Sequence, residues 1–141
     1  MNALIVTGEA EKFDGFAASD AALAASGTVA LELAAARVPH VVAYRFNWLT
    51  NKLAHVLVKG EHVHLVNVAL GEEAVPEFIL ENCRAYPIAS AVAALLNGGD
   101  AAVRQTQRFK AAMESLHPAA LSPAAAAAKV VLDIIAGSKT G

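Results

Sequence analysis

The chain of 141 residues holds a single cysteine, Cys83, and this scarcity removes several classes of protein at once. There is no internal disulfide and no cysteine-built zinc site, and a reducing, cytoplasmic setting is the natural expectation. Neither sign of charge is in large excess: 11 lysines and arginines stand against 13 acidic residues, a formal net charge of -2. With no basic field to gather a polyanion, no nucleic-acid partner is expected. Long hydrophobic runs are absent too, although the mean hydropathy is +0.45. A spanning helix needs about 20 consecutive apolar residues. Residues 88–96 are too few, and residues 119–135 are interrupted by Ser122, Pro123, Lys129 and Asp133. The opening MNALIVTGEAEK has no basic flank and no extended apolar core, so it does not read as a signal peptide. Two glycine motifs are also missing, GxGxxG of dinucleotide sites and GxSxG of hydrolase elbows.

What is present is apolar and globular. Apolar residues make up 56% of the chain and charged residues 17%, enough to pack one core in a single domain over residues 1–141. The first half, residues 1–80, alternates short apolar runs with helical patterns, the mark of βα units and a parallel sheet. Residues 3–7 (ALIVT) read as a buried strand stopped by Gly8, and residues 20–25 as a second short strand. A helix then runs from the Ser26-Gly27-Thr28 turn to Arg37, and residues 40–45 (HVVAYR) form a third strand after Pro39. Residues 48–59 carry an amphipathic helical pattern closed by Gly60, and residues 62–66 (HVHLV) read as a fourth strand. Residues 81–137 read as a helical section with helices over 89–96, 100–116 and 123–136. Asp100 after two glycines is the expected cap of the second; Ser122-Pro123 starts the third and Gly137 stops it. The fold class is α/β with a parallel sheet and a helical C-terminal section.

The segment richest in chemistry is Ala25-Ser26-Gly27-Thr28-Val29-Ala30-Leu31-Glu32. A strand enters a turn of small residues and a helix begins on the far side, aiming its free N–H groups beyond the strand end. Ser26 and Thr28 add hydroxyls, and Gly27 permits close approach of a ligand to the backbone. Glu32, four residues after Thr28, falls on the same helix face and can accept bonds from two adjacent hydroxyls, as on a ribose. Phosphate at the turn and ribose against Glu32 make a nucleotide site; the alternative is a capped helix start with Glu32 as an ordinary surface residue. A second segment runs Leu65-Val66-Asn67 and then Gly71-Glu72-Glu73-Ala74-Val75-Pro76-Glu77. Asn67 just past a strand would reach a base or sugar in the crevice beyond the sheet; the alternative is an asparagine closing its own turn.

Taken together, Ala24-Ala25-Ser26-Gly27-Thr28, Leu31-Glu32, Pro39, Val42-Ala43-Tyr44-Arg45, Leu49-Thr50, Leu65, Asn67 and Val75-Pro76-Glu77 resemble the C-terminal domain of lipid-A-disaccharide synthases. The resemblance implies a partial Rossmann-like sheet of a GT-B-type glycosyltransferase, with UDP held mainly by this domain. It implies transfer of 2,3-diacylglucosamine from UDP-2,3-diacylglucosamine to 2,3-diacylglucosamine 1-phosphate, with no metal and no cofactor beyond the UDP-sugar donor. By that likeness Ser26, Gly27, Thr28 and Glu32 border the UDP and Asn67 lies near the donor. No catalytic residue is expected in this chain, since the family carries its candidate base in an N-terminal domain. Met1 is thus expected to begin partway through the C-terminal domain, with the N-terminal half as a missing partner and the chain inactive alone. Homo-oligomers and contact with the periphery of the inner membrane are further expectations.

Two positions depart from the family pattern: Val66 stands where a proline is common, and Glu72 where a basic residue is common. Either Glu72 faces away from the nucleotide or donor affinity is reduced. His62 and His64, two apart on a supposed strand, suit a metal less well than an ordinary strand face, as no third ligand is evident. His40, His55 and His117 read as surface or strand-end residues, and Cys83 as inert. The competing functions are another UDP-sugar GT-B fragment and a non-catalytic module that oligomerises through exposed sheet edges.

Overall fold

The computed structural model describes residues 3–25, 27–45, 62–116 and 122–137. Helix α1 (Glu9–Ala17) leads into β1 (Ala22–Ala24), α2 (Thr28–Ala35) and β2 (His40–Tyr44). After residue 62 come α3 (Leu65–Leu70), β3 (Glu77–Ile79) and a short 3-10 turn, Leu80–Asn82. The remainder is helical: α4 (Ala85–Leu96), α5 (Asp100–Leu116) and α6 (Pro123–Gly137). The strands form one sheet in the order β1-β2-β3, parallel throughout, with Ala22 opposite His40 and Val42 opposite Glu77. Parallel neighbours require crossovers, and α2 supplies the first of them. The α/β parallel architecture expected from the alternating pattern is therefore present.

The central strand explains the packing. Val41 and Val42 are buried, and Ala30, Leu33 and Ala34 of α2 lie against this part of the sheet. Alanine at two of these positions lets the helix backbone approach the sheet closely. Phe109 of α5 is fully buried at the meeting point of α2, α3 and α5, with Val66, Val75 and Ala112 in the same cluster. At the far end of α2 the chain reverses through Arg37 (φ 59), with the Val38 amide donating to the Leu33 carbonyl at 2.9 Å.

Three readings of the sequence are corrected. Residues 3–7 form no strand; Leu4 is 89% and Ile5 84% exposed. An isolated apolar run has no strand identity without a neighbour to pair with, and β1 pairs only with β2 among the described strands. Residues 62–66 are not a strand either: the chain turns there, and His64 becomes the N-cap of α3 by accepting from the Val66 amide at 3.2 Å. The third strand next to Tyr44 is instead supplied by Glu77–Ile79. Finally, α4 begins at Ala85 rather than residue 89, with Pro87 in its first turn, where no N–H is needed. The amphipathic pattern of residues 48–59 lies outside the described residues. Ser122 caps α6 through its Oγ, which accepts from the Ala125 amide at 3.3 Å, as the Ser-Pro pair predicts.

No described side chain of α6 is buried, and Val130, Val131, Leu132, Ile134 and Ile135 all stand in solvent. The contrast with Phe109 is measurable by urea denaturation. Phe109→Ala is expected to cost roughly 3–5 kcal/mol, as for other buried aromatics. Ile134→Ala should stay within about 0.5 kcal/mol; a comparable loss in both variants would contradict this packing.

Candidate functional site

The α2 N-terminus lies just past the C-terminal end of β1, in the position where open parallel sheets take ligands. Gly27 is the N-cap, with φ 134 and ψ -159, a backbone conformation that L side chains rarely adopt. It offers no side-chain cap, and Thr28, the first helical residue, is exposed. Among the described residues no side chain caps the first-turn N–H groups, which can therefore take an anion. Ser26 lies outside the described residues. Beside this turn, residues of α1, β1 and α2 enclose an apolar cleft of about 530 Å³ that includes Phe16, Gly27, Thr28, Val29 and Leu33.

Glu32 is one turn along α2 from Thr28 and does not stand free. Its Oε2 lies 2.9 Å from the Lys12 ammonium of α1, an interaction between elements that sequence spacing could not show. Lys12 also approaches Glu9 at 3.6 Å, and the Glu32 bond lifts its pKa above the usual lysine value.

Asn67 sits differently from the expectation. It is inside α3 and fully buried, and its amide is spent on the protein. Its Nδ2 donates to the Val75 carbonyl at 2.7 Å and to Glu77 Oε1 at 2.6 Å. Its Oδ1 accepts from the amides of Ala74 and Val75 at 2.9 and 2.8 Å. Asn67 thus shapes the loop between α3 and β3. Glu77 completes the lock by accepting from the amides of Val63 at 2.9 Å and His64 at 3.1 Å. Glu72, the departure from the family pattern, is held by Arg108 Nε at 3.0 Å, so its charge is met from α5.

Sequence reasoning missed the residues behind this loop. His40, read as surface or strand-end, is at the start of β2 but wholly buried. Its Nδ1 donates to the Val38 carbonyl at 2.9 Å, its ring stacks on Phe109 at 5.1 Å, and its Nε2 lies 3.3 Å from Nε2 of His64. His64 Nδ1 accepts from Val66, so the network assigns its proton to Nε2, which donates to His40. Gln105 of α5 stitches the same region: its Oε1 accepts from the His40 amide, and its Nε2 donates to the carbonyls of His40 and Ala74. The only advance signal was a polar residue at a core-facing position of α5. Among the described residues, no group of three His, Cys, Asp or Glu side chains is arranged to hold a metal ion.

A three-stranded parallel sheet with a helix N-terminus beyond its first strand defines a Rossmann-like α/β domain. Comparison with known proteins makes the assignment specific. The family profile described as lipid-A-disaccharide synthetase matches residues 1–131, and the chain belongs to that family. It is 42% identical over 133 residues to the lipid-A-disaccharide synthase of Rhodospirillum centenum, covering 94% of this chain and 33% of that protein. The synthase of Gluconobacter oxydans is 40% identical over 131 residues, or 93% of this chain and 32% of its own length. That of Ruegeria pomeroyi is 45% identical over 125 residues, 86% of this chain and 30% of the relative. The chain therefore spans about a third of the length of these curated relatives.

The buried histidine pair gives this region a pH dependence of known sign. Burial pushes His40 down to about 4 from 6.5, against the opposing Val38 bond and with a small push from His64. Burial also lowers His64, opposed by Glu77 and by the Ala30 carbonyl. Between pH 6.5 and about 4 the unfolded chain takes up protons that the folded chain excludes, so stability is lost as pH falls. The loss attributable to His40 is on the order of 3 kcal/mol across that window. Denaturation midpoints measured from neutral to acid pH should show it. His40→Phe, which cannot take a proton, should flatten the slope; an unchanged slope would remove His40 from the account.

Proposed function

We propose that this chain provides the nucleotide-sugar-binding part of a lipid-A-disaccharide synthase. The donor is UDP-2,3-diacylglucosamine, and the acyl-sugar is passed to 2,3-diacylglucosamine 1-phosphate. The observation that carries this reading is the α2 start, Gly27 and Thr28 with Glu32 one turn on, in a chain matched to the family over residues 1–131. The diphosphate takes the open N–H groups at Gly27 and Thr28, assisted by the Ser26 hydroxyl, and the ribose hydroxyls donate to Glu32. Asn67 acts at one remove, by setting the loop that carries Glu72 and Ala74. No residue of this chain is assigned as the catalytic base, and the transfer is proposed to use no metal. The base belongs to a partner portion, and the chain alone forms no disaccharide. The setting is cytoplasmic, at the periphery of the inner membrane where acylated substrates reside; no helix among the described residues is long and apolar enough to cross a membrane.

A second reading is favoured by one observation, the exposed apolar residues of α6: a non-catalytic module that associates with further copies through that helix. Calorimetry separates the two. The first reading expects saturable UDP binding by the wild-type chain, at least tenfold weaker in Glu32→Ala. Disaccharide formation by the chain alone would contradict the assignment of the base elsewhere. Concentration-dependent size with no response to UDP would favour the second reading.

A further inference from the structure

The ion pair between Lys12 and Glu32 differs in kind from its neighbours. Lys110–Glu114, Lys129–Asp133 and Arg104–Asp100 are i,i+4 pairs along single helices, with every side chain more than 60% exposed. Such pairs contribute little. Lys12 and Glu32 join two helices, and their side chains are only 27% and 33% exposed. Glu32 Oε2 is shielded from solvent and pairs with the ammonium at 2.9 Å by charge, without an aligned hydrogen bond, and no other described residue bonds this carboxylate. Half of the carboxylate is thus committed inside the protein and half left for something else. Lys12 itself is steadied over the Phe13 ring at 4.8 Å.

We propose that Lys12 is a positioning residue for a nucleoside diphosphate bound along α2. This rests on the nucleotide reading above and assigns that site a second charge. A diphosphate at Gly27 and Thr28 brings negative charge within a helical turn or two of Glu32, and an unpaired carboxylate there would repel it. The Lys12 ammonium cancels that repulsion. By taking Oε2 it also fixes the carboxylate, so that Oε1 alone is presented to a ribose hydroxyl. Lys12 makes no contact with the ligand; it acts through Glu32. The consequence is a dependence on the phosphates: losing Lys12 should weaken a nucleoside diphosphate more than the nucleoside it contains.

The test is calorimetry on the purified chain with UDP and with uridine, for wild type, Lys12→Met and Lys12→Arg, and with Glu32→Ala as reference. The expected result is about a tenfold loss of UDP affinity in Lys12→Met, a smaller loss for uridine, and recovery to within about twofold in Lys12→Arg. The UDP loss should shrink at high salt, which a merely structural role would not produce. Melting curves check that both variants fold; should Lys12→Met melt early, Lys12→Gln repeats the comparison. UDP binding as tight as wild type, or tighter, in a folded Lys12→Met overturns the role while leaving the nucleotide reading in place. No UDP binding by the wild-type chain overturns both.

Discussion

The passage of the chain from α3 into β3 depends on a carboxylate and an amide bonded to each other inside the protein. Glu77, at the first position of β3, and Asn67, inside α3, bond to each other at 2.6 Å and to the backbone on both sides of the loop between them. A buried amide with four partners and a carboxylate accepting from two backbone amides leave little freedom to the segment 63–77. Buried polar networks specify a structure strongly when every member is satisfied, because each alternative arrangement strands a desolvated group. This network fixes where α3 starts, where β3 enters the sheet, and which way the 71–75 loop faces.

Behind it a second layer ties the same loop to the core. Gln105 bonds the backbone of β2 and of Ala74 together, which ties α5, the central strand and the loop to one another. His40 and His64 bridge β2 and α3 by a single shared proton, and Phe109 covers His40 from the α5 side. The arrangement requires both rings neutral. Protonating His40 at Nε2 would set two N–H groups against each other in a space with no solvent to separate them. Packing and polar satisfaction thus coincide at one place, where α5 meets the central strand and α3.

The parts of the fold legible in the sequence are those governed by local chemistry. Small residues around Gly27 marked the passage from β1 to α2, the HVVAY run marked the central strand, and Ser122-Pro123 marked the start of α6. What escaped were decisions made by distant partners. The alternation HVHLV imitates a strand, yet Glu77, thirteen residues beyond His64, draws the segment into a helix cap instead. Residues 3–7 look like a buried strand but find no strand beside them among the described residues. In the site, Gly27, Thr28 and Glu32 were legible as a turn and one helix face, whereas the hold of Lys12 on Glu32 depends on how α1 packs. Asn67 drew notice as a residue just past a supposed strand, whereas it lies inside α3, buried by the loop closed around it.

Gly27 shows that handedness, rather than crowding, can reserve a position. A Cβ built there would meet nothing within 4 Å, so room is not what is scarce. Its φ of 134 and ψ of -159 are the mirror image of an ordinary extended strand conformation. Any L-residue would carry strain there of about 1–3 kcal/mol, while a D-alanine introduced by chemical synthesis would sit at ease. The empty volume over the turn is therefore kept open by stereochemistry alone, and it remains open for whatever ligand approaches the first turn of α2.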